Sequence, residues 1–287
     1  MSSKIGLKIK LAVLAVLTIM AGFVWQQVWS QQASQQYLKV DFFDVGQGDS
    51  IFIETPDKKQ ILIDGGPGEA VLEKLGKEMG FFDRSLDLVI LTHPDSDHLN
   101  GLIEVLRHYQ VAQILESPAQ TKGAGFKEWQ NLIAEKHIPV TIGQAGQQVK
   151  ISPQINFDVV YPFSGSGSGT NVLSVVGRLC YQQICFFMAG DIEESQEKTL
   201  GQTNFNLNSQ VLKVAHHGSK TSSSDILLER VQPQIAVISV GKDNSFGHPA
   251  PEIVERLKKY TDRIFRTDEK GDVVLKTDGI RLLFDNQ

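Results

Sequence analysis

Short apolar runs alternate with amphipathic segments from Tyr37 onward, which predicts a mixed domain of strands and helices. Apolar runs bounded by turn residues predict strands at 38–45, 50–54, 60–63, 86–91, 111–115, 156–161, 172–180, 184–189, 211–214, 235–240, 263–266, 272–276 and 280–284. Helical periodicity predicts helices at 69–79, 99–109, 127–136, 193–200, 225–231 and 251–260. Because hairpin-like strands are followed by βα units and then by further strands, we expect an α/β domain with two mixed sheets.

The N-terminus has a different pattern, an apolar run at 11–25 that follows Lys4, Lys8 and Lys10. Basic residues before an apolar segment stay on the cytoplasmic side, so we predict a single-pass anchor in a bacterial membrane through residues 11–29, with the catalytic domain outside the cytoplasm. A cleaved signal peptide, and hence a secreted protein, is the alternative, although no clear cleavage motif follows. Residues 1–36 are therefore assigned to anchor and linker, and residues 37–287 to one domain.

The formal net charge of −5 excludes a general DNA-binding protein. The only charged residues before Tyr37 are basic, so the rest of the chain is more acidic still. A domain that clamps duplex DNA needs a basic surface, and any nucleic-acid role must therefore rest on a local site. The two cysteines, Cys180 and Cys185, either form a disulfide across a hairpin tip or are small buried residues.

The apolar strand around 88–91 runs directly into four potential metal ligands and then into a helix. Side chains at the carboxyl end of such a strand converge on one point, and imidazoles with carboxylates suit zinc, manganese or iron. An aspartate in this segment could instead cap the helix, but capping does not explain two aspartates flanked by two histidines. We therefore predict a metal site at His93, Asp95, Asp97 and His98.

The pattern His-x-Asp-x-Asp-His resembles the His-x-His-x-Asp-His signature of the metallo-β-lactamase superfamily. Residues 61–66 resemble the early strand of that family, whose final aspartate, here Asp64, orients the ligand loop. Residues 186–191 resemble a later strand, whose aspartate, here Asp191, bridges two metals. Asp64 could alternatively form a turn, and Asp191 could cap a helix. The resemblance implies a four-layer αβ/βα sandwich and a hydrolase that uses one or two divalent ions (Zn or Mn) and a metal-bound hydroxide.

Three further motifs narrow the resemblance. Asp44-Val-Gly-Gln47-Gly-Asp49, Val214-Ala-His216-His217-Gly-Ser219 and Ser245-Phe-Gly-His248-Pro249 resemble the metallo-β-lactamase-like domain of ComEC-type DNA-internalisation (competence) proteins, over roughly residues 38–284. The resemblance implies a structural motif at Asp44, Gln47 and Asp49, and further ligands at His216, His217 and His248. One histidine of the pair could serve only as a hydrogen-bond partner, and His248 could be an ordinary surface residue.

Two departures from the wider superfamily bear on the metal. Asp95 replaces a histidine, which shifts the preference of the first position from zinc toward manganese. No histidine lies between His137 and Asp191, so the usual third histidine is missing and Asn171 stands roughly in its place. We expect one tightly bound and one loosely bound ion, and no organic cofactor.

The segment 219–224 lies between the histidine pair and a predicted helix. Free N–H groups at a helix N-terminus, together with Lys220, would bind an anion, although the same serines could be a plain helix cap. Lys242, near Asn244 and His248, would supply a second cationic contact for the anion. The predicted catalytic residues are Asp97, which would accept a hydrogen bond from the attacking water, Asp64 and Lys220. The predicted substrate contacts are Ser219, Thr221, Ser222, Asn171 and Asn244.

An anionic phosphodiester fits these groups better than a neutral β-lactam. We therefore predict a membrane-anchored phosphodiesterase or nuclease that acts on DNA or nucleotides, with the DNA-uptake machinery as a partner. A lactonase or other ester hydrolase on the same metal centre is one alternative. A metal-poor domain that only binds DNA or a protein partner is another.

Overall fold

The computed structural model describes residues 10–23, 25–26, 37–80 and 82–284 of the chain. The chain divides between Tyr37 and Leu38 into two units. In the first unit, residues 10–23 and 25–26 are helical and are together called α1. The second unit holds every other element and all of the predicted site.

The predicted membrane anchor is wrong. Within the part of the chain that the structure describes, no helix is both long enough and apolar enough to cross a membrane. A span needs roughly 20 consecutive apolar residues, and the helical residues that the structure describes, 10–23 and 25–26, are fewer than that. The predicted single-pass membrane location is therefore not supported. The predicted linker at 30–36 and the end of the predicted anchor at 27–29 lie outside the described residues.

The second unit contains two large sheets and one small one. The strands are β1 (Leu38–Phe42), β2 (Ile51–Glu54), β3 (Gln60–Ile63), β4 (Ser85–Leu86), β5 (Leu88–Leu91), β6 (Gln110–Val111), β7 (Ile114–Glu116), β8 (Val140–Ile142), β9 (Gln148–Ser152), β10 (Ile155–Tyr161), β11 (Val176–Tyr181), β12 (Ile184–Met188), β13 (Val211–Lys213), β14 (Ile235–Ile238), β15 (Ile264–Arg266), β16 (Val273–Thr277) and β17 (Leu282–Phe284). The first sheet has the order β17-β16-β1-β2-β3-β5-β7-β8, the second has the order β15-β14-β13-β12-β11-β10-β9, and β4 pairs with β6.

The helices cover the outer faces of the two large sheets. They are α2 (Ala70–Glu78), α3 (Ser96–His108), α4 (Ala124–Lys136), α5 (Glu194–Gly201), α6 (Asp225–Val231), α7 (Pro251–Leu257) and α8 (Thr267–Lys270). Two 3₁₀ turns, Asn171–Leu173 and Ala215–Gly218, complete the set.

Three hydrophobic cores define four layers. One core fills the space between the two sheets, with Phe42 and Ile53 from the first sheet and Phe157 and Phe186 from the second. A second core packs α2, α3 and α4 on the first sheet, and a third packs α5, α6 and α7 on the second sheet. The predicted four-layer αβ/βα sandwich is therefore confirmed.

The site lies where parallel strands end. β3 pairs in parallel with β5, and β12, β13 and β14 form a second parallel group. Because parallel strands finish at one edge of a sheet, the loops after them converge. Helix α3 begins at Ser96, earlier than the predicted residue 99, so Asp97 and His98 lie in its first turn.

The hairpin between β11 and β12 settles the question about the cysteines. Cys180 and Cys185 are register partners in this antiparallel pair, and their sulfur atoms are bonded. The predicted strand at 172–180 begins later than expected, because Asn171–Leu173 forms a 3₁₀ turn whose last carbonyl accepts a hydrogen bond from the Ser117 hydroxyl.

Candidate metal centre

Asp64 organises the loop that follows β5. Its side chain is fully buried, and Oδ1 accepts a hydrogen bond from the backbone N–H of Thr92 at 2.8 Å. Its Oδ2 accepts two more, from the Thr92 hydroxyl at 2.6 Å and from His98 Nδ1 at 2.8 Å. The carboxylate therefore joins the end of β3 to both ends of the ligand loop, as its resemblance to the orienting aspartate implied.

The same network orients three imidazoles. The Thr92 hydroxyl gives its hydrogen to Asp64, so its oxygen accepts from His93 Nδ1 at 3.0 Å. His217 Nδ1 donates to the Ser239 carbonyl at 2.9 Å. With Nδ1 of His93, His98 and His217 engaged in this way, Nε2 is the atom left to bind a proton or a cation. All three Nε2 atoms are buried and have no hydrogen-bond partner among the described residues.

Asp191 lies at the centre of these three imidazoles. Its Oδ2 is 3.3 Å from His217 Nε2, 3.4 Å from His98 Nε2 and 3.9 Å from His93 Nε2. Two atoms that each bind one ion at about 2.0–2.2 Å lie roughly 3–3.6 Å apart, so the first two distances suit a shared cation. Asp97 adds a second carboxylate, with Oδ2 at 3.4 Å from His217 Nε2.

These side chains form overlapping groups whose donor atoms lie within 4.8 Å of one another. One group is His93, His98 and Asp191, and another is Asp97, His98 and His217. Buried imidazoles without partners, beside carboxylates, are the donor set that divalent transition metals require. The residues present therefore fit the metal that the family resemblance implies.

Lys213 is a member of this centre that the sequence analysis missed. It is the last residue of β13, its side chain is 1% exposed, and its ammonium pairs with Asp49 Oδ2. The same nitrogen is 3.6 Å from Asp191 Oδ1 and 3.4 Å from the Gly190 carbonyl. A lysine within an apolar run, three positions before His216, was the available signal.

The electrostatics of the centre favour positive charge. Burial alone would raise the pKa of Asp191, but His217, His98 and Lys213 hold it well below its ordinary value. Burial alone would lower the pKa of His98, but Asp191 and Asp64 raise it well above its ordinary value. Burial alone would also lower the pKa of His217, but Asp191 and Asp49 raise it well above its ordinary value. A divalent cation in this field would displace those protons.

The backbone is unusual at the same place. Asp64, His216 and His217 have φ angles of 56°, 49° and 54°, in the left-handed region that non-glycine residues rarely adopt. Gly48, in the loop after β1, contacts the first turn of α3 so closely that a Cβ would lie 2.0 Å from the Asp97 carbonyl oxygen. The loop thus positions Asp97 through backbone contact, which only glycine permits.

Three predicted ligands lie outside these groups. Asp95 is the N-cap residue of α3, its side chain is 38% exposed, and its Oδ2 is 3.7 Å from His93 Nε2. His216 turns toward Glu193, with Nδ1 at 3.5 Å from Oε1. The His216 and His248 rings are 5.8 Å apart, and burial followed by the two neighbouring histidines lowers the pKa of His248. Asp95, His216 and His248 therefore stay predicted ligands, although they do not belong to the groups of converging donor atoms.

Two backbone N–H groups in the segment predicted to bind an anion already have a partner in the protein. The buried carboxylate of Glu197 accepts the backbone N–H groups of Ser223 at 2.5 Å and Ser224 at 2.6 Å. The Ser222 hydroxyl donates to the Ala215 and Ser219 carbonyls, and the Ser219 and Thr221 hydroxyls bond to each other. Two of the donors expected for a substrate anion are therefore used by a carboxylate of the protein, while the contacts predicted at Ser219, Lys220, Thr221 and Ser222 stay predictions.

The other predicted site residues differ in their hydrogen-bond partners and in their exposure. Asn244 donates to the Gly241 and His248 carbonyls and accepts from the Phe246 and His248 N–H groups, so its side chain shapes its own loop. Gln47 accepts from the Gly241 N–H, and Asp44 from the Gly46 N–H. Asn171 Oδ1 is buried without a partner among the described residues, while Lys220 and Lys242 are exposed.

The chain belongs to the metallo-β-lactamase superfamily, whose sequence profile matches residues 43–242. Among solved structures, it is similar to the metallo-β-lactamase fold protein YhfI from Bacillus subtilis, with a TM-score of 0.56 and 12% identity over 84% of this chain and all of that one. It is also similar to the metallo hydrolase Igni18 from Ignicoccus hospitalis, with a TM-score of 0.51 and 14% identity over 83% of this chain and 98% of that one. At these identities the likeness concerns the fold.

Curated relatives confirm the predicted resemblance to competence proteins. The chain is 28% identical to ComE operon protein 3 of Bacillus subtilis over 254 residues, which are 82% of this chain and 32% of that protein. It is also 28% identical to Competence protein ComA of Neisseria gonorrhoeae over 255 residues, which are 88% of this chain and 34% of that protein. The chain thus spans about a third of the length of these relatives.

Proposed function

We propose that the domain at residues 38–284 is a metal-dependent phosphodiesterase that acts on nucleic acid or nucleotides. The observation that carries the proposal is the convergence of three imidazole Nε2 atoms on Asp191 Oδ2, with each ring held through its other nitrogen. The donor atoms thus converge on one point, and the chain belongs to a superfamily that includes metallo hydrolases.

Two overlapping positions would hold the metal. Asp97, His98, His217 and Asp191 would supply the first, and His93 with Asp191 would supply part of a second. A bound divalent cation supplies Lewis acidity and lowers the pKa of water from 15.7 toward about 7. Asp97, on a side chain that is 30% exposed, would ligate the metal through Oδ2 and accept a hydrogen bond from the attacking water through its other oxygen.

The choice of a phosphodiester rests on two supports. One relative is named as a competence protein, and the sequence motifs resemble those of DNA-internalisation proteins. Lys220 and Lys242 are exposed on the loops that carry His217 and His248, where they can contact a phosphate. The carboxylates of the centre repel such a substrate until a cation is bound, so binding of the anion depends on the metal.

Two observations favour a second candidate, hydrolysis of a neutral ester or lactone. Glu197 fills the helix end at Ser223 and Ser224 that was predicted to receive a phosphate. The overall charge of −5 also suits a neutral substrate better than a polyanion.

The experiment compares bis-p-nitrophenyl phosphate, single-stranded DNA and a simple lactone as substrates, with Mn²⁺, with Zn²⁺ and after chelation. We expect phosphodiester cleavage that needs the metal and that falls about 100-fold or more in Asp97→Ala. Glu135→Ala, which removes an exposed carboxylate on α4, is the matched control. Turnover of the lactone alone would favour the second candidate, and full activity in Asp97→Ala would refute the assignment of Asp97.

A further inference from the structure

Lys213, the last residue of β13, lies within the candidate metal centre. The residue pairs with Met188 of β12 and with Val237 of β14 in the parallel sheet, so the backbone fixes where its side chain begins. The ammonium is buried and lies between Asp49 and Asp191. A fully buried lysine is rare unless it is paired, and here both partners belong to the site.

The ammonium divides the roles of the two oxygens of Asp191. Oδ1 lies toward Lys213 at 3.6 Å, whereas Oδ2 lies among the three imidazoles. A carboxylate that bridges two cations shares its oxygens between them. No hydrogen bond occupies Oδ1 among the described residues, but a cation bound there would lie beside the Lys213 ammonium and be repelled by it, so Oδ2 is the oxygen favoured for metal.

The ligands are distributed unevenly as well. Asp97, His98 and His217 form one group together with the shared Oδ2 of Asp191. The second position has His93, the same shared oxygen, and Asp95 on a side chain that is 38% exposed. The first position therefore has three donors besides the shared oxygen, although Asp97 is 30% exposed, whereas His93 is the one buried donor that the second position does not share with the first.

The charges point the same way. The carboxylates of Asp49, Asp64, Asp95, Asp97 and Asp191 and the Lys213 ammonium together leave four negative charges uncompensated. One divalent ion reduces them to two, so a second ion meets two residual charges. Without the ammonium it would meet three. We infer that Lys213 is a permanent cation of the metal centre, and that the centre consequently binds one divalent ion tightly and a second only weakly.

This inference rests on the proposed function, since it assumes that the centre binds metal, but it concerns stoichiometry and not turnover. A purely structural role for Lys213, as a buried ion pair between strands, would make its removal destabilising. It would leave the relative affinity of the two positions unchanged. The number of bound ions therefore distinguishes the two roles.

The test is a Mn²⁺ titration of the demetallated full-length protein by calorimetry, with bound metal counted by elemental analysis and followed by electron paramagnetic resonance. We expect wild type to bind one Mn²⁺ with a mononuclear spectrum, and to bind a second at least about tenfold more weakly, since one buried unit charge near a divalent ion has an effect of this size or larger. In Lys213→Met the second ion should bind at least about tenfold more tightly than in wild type and give an exchange-coupled spectrum. Lys213→Arg should keep the wild-type stoichiometry, as should Lys198→Met, which removes an exposed lysine on α5.

Two ions of equal affinity in wild type would overturn the inference without touching the proposed function, and so would a folded Lys213→Met with the wild-type stoichiometry. If Lys213→Met does not fold, Lys213→Gln and the wild-type titration decide in the same way. Absence of any bound Mn²⁺ or Zn²⁺ in wild type would instead overturn the proposed function itself.

Discussion

Asp64 Oδ2 and His98 Nδ1 are 2.8 Å apart, and both side chains are completely buried. Asp64 Oδ2 already accepts hydrogen bonds from Thr92 and His98, so this oxygen is not free to bind a metal ion. It acts on the centre by holding the imidazole in one orientation and with one nitrogen free.

Asp64→Asn should weaken metal binding by about 10–100-fold, the usual cost of losing a group that orients a ligand. The amide turns one of two acceptors into a donor, while all three neighbouring groups are donors. Calorimetric titration with Mn²⁺ measures the change. Asp57→Asn, which alters a hydrogen-bonded aspartate in a turn between β2 and β3, is the control. Unchanged affinity in Asp64→Asn would show that the orientation of His98 does not depend on this carboxylate.

His216 and His248 should affect turnover more than metal binding. Both rings lie beside the centre, but neither belongs to the groups of converging ligands. We expect His216→Ala and His248→Ala to keep the affinity for the first Mn²⁺ within about threefold, whereas His217→Ala lowers it by tenfold or more. Calorimetry and a phosphodiesterase assay on the same samples separate the two effects. A lower stoichiometry in either of the first two variants would place that histidine among the ligands.

Glu197 should contribute strongly to stability. Its carboxylate accepts the N–H groups of Ser223 and of Ser224, the N-cap residue of α6, and its removal leaves both donors buried without a partner among the described residues. Glu197→Ala should lower the free energy of unfolding by about 2–4 kcal/mol, since each such donor costs roughly 1–3 kcal/mol. Urea denaturation followed by circular dichroism measures it. Glu194→Ala, on the exposed side of the same helix α5, should change stability by less than about 0.5 kcal/mol. Equal effects of the two substitutions would contradict the capping role.

Asp41 should make stability depend on pH. Burial raises its pKa to about 7 despite the ammonium of Lys39 at 2.8 Å, and Glu78 and Asp272 add to the rise. Because this pKa lies above its unfolded value of 3.8, the protonated form is favoured in the folded state. The stability that Asp41 contributes is complete below about pH 4 and is lost as the pH rises through 7.

Asp41→Asn removes this titration. Between pH 4 and pH 8, wild type should lose on the order of 2–4 kcal/mol relative to the variant, as a shift of this size implies. Urea denaturation at several pH values, with Asp262→Asn as an exposed control, measures the difference. Parallel pH curves for wild type and Asp41→Asn would show that the buried carboxylate is charged throughout this range.

The strands and ligand loop could be predicted because their signals are local. The run at 88–91 is entirely apolar and the ligands follow it at once, so both the strand and the place of His93 follow from the sequence. Asp191 and His217 could be grouped with that loop through the family motifs, which carry information about distant parts of the chain. Strands β8 and β9 were missed, since they are short or largely exposed and their apolar residues are few.

Lys213 and Glu197 could not be placed for a different reason. The partners of Lys213 are Asp49 and Asp191, and those of Glu197 are the N–H groups of Ser223 and Ser224. Each pairing joins residues more than 20 positions apart, so only the folded backbone reveals it. The use of two amides of the predicted anion site by Glu197 was not foreseen, because the sequence shows which amides precede a helix but does not show which side chain reaches them.

The left-handed backbone at Asp64, His216 and His217 has a consequence for evolution and engineering. Each non-glycine residue in that conformation costs about 1 kcal/mol or more relative to glycine. Selection for thermal tolerance alone would therefore replace these side chains, and would erase the chemistry they bring to the edge of the sheets. These three positions are therefore poor targets for stabilising substitutions in this protein.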